Sequence, residues 1–221
     1  MIQKSTFEFL LKLKENNNRE WFQENKHLYE GAKENMLELI ENALLGMKKF
    51  DASLMDLESK KCMYRIYRDV RFSKEKLPYK TNMGASITSG GRNSKRAGYY
   101  IHLQPGNESF VGGGIYMPES AHLKAIRQEI AYNSAGFLKI IEQKKFNATF
   151  GELWGEKMKN APREYDKDHP AIELLKHKHY IFAVDFTDQE VLSADFEKKI
   201  IEALKILHPF IDFLNHAISE V

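Results

Sequence analysis

One cysteine in 221 residues, Cys62, excludes an internal disulfide and a zinc site built from thiolates alone. A reducing, cytoplasmic setting suits such a chain. No apolar run approaches the roughly 18 residues a membrane span needs. The opening stretch MIQKSTFEFLLKLKENNNRE carries charges through its would-be hydrophobic region and has no small-residue cleavage pattern, so neither secretion nor a membrane partner is expected. No solenoid-length repeat and no low-complexity tract is present. Also missing are a glycine-rich run ending in Gly-Lys-Ser/Thr and a GxGxxG turn between strand and helix, so no motif assigns a cofactor. A net charge of +2 and a pI near 8.4 fall short of the strongly basic balance typical of nucleic-acid-binding domains.

What is present reads as one soluble globular domain, residues 1–221, with 43% apolar and 29% charged residues. A chain of this length buries roughly 70% of its unfolded surface. From Asn18, a helix cap by type, Trp21, Leu28, Ala32, Met36, Ile40, Ala43 and Met47 follow helical spacing. Phe196, Ile200, Leu204, Leu207, Ile211, Leu214 and Ile218 repeat it, with Pro209 expected to kink or restart the helix. Between these lie CMYRIYRDVRF, MGASIT, GYYIHLQ, SFVGGGIYM and, later, YIFAVDF, each rich in aromatic or β-branched residues and expected to form strands. Short connections such as QPGNES require antiparallel neighbours. A helical stretch from Glu119 to Lys145, broken near Asn133 to Gly136, and a short helix near Pro170 complete the pattern. The fold class is α+β: an antiparallel sheet packed by long N- and C-terminal helices.

The charge is placed rather than spread. From Lys60 to Arg96 there are eleven Lys or Arg against Asp69 and Glu75, so this segment carries +9 and the rest of the chain −7. If Arg65–Phe72 is extended, alternation puts Arg65, Tyr67, Asp69 and Arg71 on one face. Two guanidiniums then flank one carboxylate, and a forked donor array is left for a carboxylate or phosphate. Arg68, on the opposite face, joins the ligand-binding candidates. So do Ser73, Tyr79 and Lys80, which the turn at Pro78 gathers. A network of structural ion pairs, with Glu108 or Asp185 as partners, is the competing reading. Three consecutive glycines in a strand, Gly112, Gly113 and Gly114, point to a bulge, a facing helix or a ligand that must approach closely. Asp166, Asp168, His169, His177 and His179 suggest helix capping and sheet roles rather than a metal site, and no metal is assigned.

The stretches RIYRDVRFSKEKLPYKTNMGA, GYYIHLQPG, FVGGGIYMP and PREYDKDHPAIELLKHKHYI together resemble a widespread bacterial and fungal family known only as a domain of unknown function. The likeness runs from the first helix to the last. It implies a single-domain protein of this length and supplies no reaction, cofactor or catalytic residue. The residues themselves favour an anionic small molecule, phosphorylated or carboxylated, bound by a protein that is an enzyme or a binder. Single-stranded nucleic acid is the alternative partner, supported by Tyr64, Tyr67, Phe72 and Tyr79 between the cations. A protein-interaction module without catalysis is a third.

Overall fold

The computed structural model describes residues 1–71 and 74–219. Helix α1 (Lys4–Glu15) is followed by α2 (Arg19–Glu24) and α3 (Lys26–Met47). Asn18 caps as its type predicts, accepting a hydrogen bond from the Trp21 amide at 2.9 Å, but it caps the short α2. The chain turns once more at Asn25 before the long helix begins. At the other end α10 (Phe196–Ala217) runs without restart through Pro209. Proline removes one helical hydrogen bond. Here Leu207, Phe210 and Ile211 are buried on either side of it, and their packing holds the helix together.

Four strands form one sheet in the order β1 (Met83–Ile87), β2 (Gly98–Leu103), β3 (Ser109–Ile115) and β4 (Tyr180–Phe186), antiparallel throughout. Between β3 and β4 the chain makes α5 (Ser120–Tyr132), α6 (Ser134–Ile141), α7 (Lys144–Phe150) and α8 (Ile172–Leu175). The helical stretch breaks at Asn133, within the expected interval, and Asn133 caps α6, its side chain accepting from the Gly136 amide. The short helices α4 (Ser59–Cys62) and α9 (Asp188–Val191) flank the sheet.

Alternation in the strands sets a buried face against an open one. Met83, Ala85 and Ile87, Tyr99, Ile101 and Leu103, Val111 and Ile115, and Tyr180, Phe182 and Phe186 all point to one side and are buried. The helix α10 packs across β3 and β2 on that side, and α3 packs against α10 and β1. The opposite face carries Gly84 and Ser86, Tyr100 and His102, Phe110 and Gly112, and Ala183 and Asp185.

Among the described residues, the expected strand in CMYRIYRDVRF forms no ladder. Burial still alternates along Arg65–Arg71: Arg65, Tyr67, Asp69 and Arg71 are exposed, Ile66 is buried, and Arg68 and Val70 are half-buried. The pairing is limited to isolated bridges, Met63 to Ala85 and Tyr67 to Tyr79. Pro78 has no amide to donate, and the register slips between the two bridges, so no ladder forms. Cys62 is fully buried beside this segment. Burial pushes its thiol up to about 11.

Candidate functional site

The open face of the sheet is the floor of a cleft of about 1280 Å³. Its depth follows from residue size: Ser86, Gly98, Gly112, Gly114 and Ala183 present little or no side chain along two rows of the register. The third row carries His102 and Phe110, stacked at 4.7 Å with planes 13° apart. Tyr100 lies between, 5.8 Å from Phe110 and 6.4 Å from Tyr64. Its hydroxyl sits where a Cβ on Gly84 would be. Burial holds that phenol protonated, its pKa pushed up to about 12.

Three loops and the β1 edge make the walls. The β1–β2 loop contributes Arg92, Lys95 and Arg96, and the edge contributes Tyr64 and Lys80. Arg92 donates to the carbonyls of Lys60 and Lys61, both at 3.3 Å, which ties this loop to the end of α4. Lys95 pairs with Glu119 at 3.2 Å, closing one end of the cleft. The Lys80 ammonium stands 5.3 Å from the centre of the Tyr64 ring, a cation–π distance. Burial and then the nearby Arg65 lower its pKa. Among the described residues, no carboxylate pairs with the guanidinium of Arg65 or Arg96. On the far side, Tyr116, Glu152, Trp154 and Asp185 line the cleft. The lining Lys and Arg residues therefore lie toward β1, with Glu119 beside Lys95, whereas Glu152 and Asp185 lie toward β4.

The sequence candidates separate in space. Lys80, Gly112, Gly113 and Gly114 line the cleft. A Cβ on Gly112 would meet the backbone of Phe182 and Ala183 in the neighbouring strand. A Cβ on Gly113 would point the other way, against Leu207 of α10 and the Gly98 carbonyl, so a facing helix covers that side. Arg65 stands exposed beside Lys80. Arg68 lies 3.8 Å from Glu75. Asp69 holds Arg71 through a two-pronged contact, the shorter at 2.6 Å, and the Arg71 hydrogen bonds pull the carboxyl down to about 2. Both are exposed, and neither lines the cleft. Ser73 and Phe72 lie outside the described residues.

Tyr79 is 3% exposed and stacks on Phe22 at 4.0 Å, so its ring belongs to the core. Its backbone is held by Asn17, whose amide donates to the Tyr79 carbonyl at 3.0 Å and accepts from its N–H at 3.1 Å. Asn17→Ala is therefore expected to cost roughly 1–3 kcal/mol, because two part-buried backbone groups lose their partner. Urea denaturation measures it, and a loss of only a few tenths of a kcal/mol would refute this account.

The histidines have separate jobs. His169 Nδ1 accepts from the Ala171 amide and Asp166 Oδ1 from that of Asp168, building the turn into α8. His179 Nδ1 accepts from the Met117 amide at 3.0 Å. Among the described residues, no three His, Cys, Asp or Glu side chains converge to hold a metal.

Sequence reasoning missed Arg92, Lys95 and Arg96 as a wall, although they lie within the segment of +9. It missed Tyr116 and Trp154 altogether. The Trp154 amide donates to the Ile181 carbonyl at 2.9 Å, a contact between distant stretches that no local pattern signals.

A family model described as a conserved hypothetical protein, DUF2461, matches residues 5–213. No curated protein and no solved structure matches the chain.

Proposed function

We propose, for a chain that belongs to the conserved hypothetical protein family DUF2461, that the uncovered face of its sheet binds an anionic small molecule, phosphorylated or carboxylated. The observation that carries this reading is the cleft of about 1280 Å³ lined on its β1 side by Lys80, Arg92 and Arg96, with Lys95 paired to Glu119 beside them. Burial and the proximity of Arg65 make the Lys80 ammonium costly when unpaired, and an anion would relieve that cost. Arg96 supplies a planar donor fork suited to phosphate or carboxylate. The sugar-facing or carbon part of the ligand would lie on the small-residue floor, beside Tyr100 and Phe110. The cleft is a binding site in this reading, and no group in it is assigned a catalytic step.

Thermal-shift measurements with inorganic phosphate, sugar phosphates, nucleotides and dicarboxylates test the proposal. A ligand at about 100 times its Kd stabilises by about 2.7 kcal/mol, which for a chain of this size raises Tm by roughly 5–10 °C. Arg96→Ala and Lys80→Met should each reduce that rise. If neutral or cationic compounds raise Tm and none of the anions does, the reading fails.

A further inference from the structure

The wall opposite the cations exposes large apolar side chains that a folded chain ordinarily covers. Tyr116 is 62% exposed, Met117 68% and Trp154 57%. They are not loose. The Trp154 amide is bonded to Ile181 at the edge of β4. The Tyr116 ring lies 6.4 Å from Trp154 and 4.9 Å from His179. Met117 takes a left-handed backbone, φ 47°, while its amide is held by His179. Gly155, at φ +110°, lets the chain turn where a Cβ would stand 3.0 Å from the His179 ring. Two aromatic rings are thus presented, in a fixed arrangement, at the mouth of the cleft.

Spacing relates this shelf to the cations. The register runs Gly98 to Gly114 to Ile181, so the root of the Arg92–Arg96 loop lies two strands from the strand that holds Trp154. At the usual strand separation that is about 10 Å. The floor between them is Gly98, Gly114 and Ile181, with Gly112 and Ala183 in the next row, low enough for a flat group to lie across. Glu152, two residues before Trp154, would repel an anion there and direct it to the opposite wall.

We infer that the ligand is a nucleotide unit, with its base on the Tyr116–Trp154 shelf and its phosphate at Arg92 and Arg96. This rests on the anion-binding reading above and adds the ring. Its chemistry is shared by a free mononucleotide and by one residue of a single strand, and a volume above the usual small-ligand range of roughly 300–1,000 Å³ admits either.

Trp154 is one of two tryptophans, so its emission reports on the shelf. The full chain is titrated with AMP, UMP, adenosine, ribose 5-phosphate and decathymidylate, in the parent and in Trp154→Phe, Trp154→Ala and Arg96→Ala. AMP or UMP should quench the parent and bind at least tenfold tighter than adenosine or ribose 5-phosphate. Quenching should vanish in Trp154→Phe while heat-monitored binding persists. Trp154→Ala should weaken binding by roughly tenfold or more, as loss of base stacking does. Tighter binding of decathymidylate than of UMP assigns the unit to a single strand, and the reverse assigns it to a free nucleotide. Equal binding of ribose 5-phosphate and AMP overturns the ring and leaves the anion site standing. If no phosphorylated probe binds, the nucleotide falls, and the anion reading falls with it only if the dicarboxylates also leave Tm unchanged.

Discussion

Replacing Gly114 with alanine is expected to destabilise the protein by about 3 kcal/mol or more, enough to be visible in any urea titration. Two costs combine. Gly114 sits at φ +133°, a conformation that L side chains rarely adopt. A Cβ there would also run into the Tyr180 carbonyl oxygen and stand 3.0 Å from the Ile181 Cα. Both contacts are backbone of the paired strand β4, so nothing flexible can give way. Gly31 is the control. It lies exposed in α3 with nothing within 4 Å of a new Cβ, so Gly31→Ala should stabilise by roughly 0.5–1 kcal/mol through helix propensity alone. If both substitutions shift stability by similar small amounts, the tight β3–β4 seam is not the reason for the glycines.

Acidification should weaken the fold through His177. This ring is 3% exposed, and burial, with Lys157 adding to it, pushes its pKa down to about 4, Glu173 opposing only in part. Its Nδ1 has no partner among the described residues. The cationic Arg127 donates to its backbone carbonyl at 3.1 Å, and Lys157 stands near enough to oppose a proton on the ring. In the unfolded chain the group titrates near 6.5. Between those values the unfolded state binds more protons, so its stability contribution is complete above about pH 6.5 and is lost as pH falls toward about 4. The loss levels off below that. The shift corresponds to about 2–3 kcal/mol, the lower figure allowing for screening by nearby water. Unfolding free energies at about pH 7 and about pH 4, compared between the parent and His177→Gln, isolate the term. The variant should lack this part of the slope, and an unchanged difference between the two pH values would refute the assignment.

The α+β architecture is legible in the sequence because one buried face imposes its period. Phe196 to Leu214 repeat at helical spacing along α10, and Tyr99, Ile101 and Leu103 alternate along β2. The failures come where neighbours decide. Arg65–Arg71 alternates like a strand, yet strandhood also needs an unbroken partner, and Pro78 with a slipped register denies it one. Pro209 should interrupt α10 on local grounds, and the packing on both sides of it prevails. The site divides the same way. Lys80 lies beside the Pro78 turn, and strand glycines at Gly112 and Gly114 mark an unusual surface from composition alone. Tyr79 carries the same local signal as Lys80, but Phe22, far away in the chain, claims its ring for the core. Trp154 follows α7 with no motif around it, and only the bridge to Ile181 brings it to the cleft.

Cys62 closes the account of the β1 edge. Its thiol is 0% exposed, donates to the Glu58 carbonyl at 3.4 Å and has a pKa of about 11. At neutral pH only roughly one molecule in ten thousand carries the thiolate that alkylating reagents attack. A reagent would therefore reach this thiol only if α4 separated from β1, so its modification rate would report on that opening. The Arg92 loop is bonded to the carbonyl of the adjacent Lys61, so the same opening would loosen part of the basic wall.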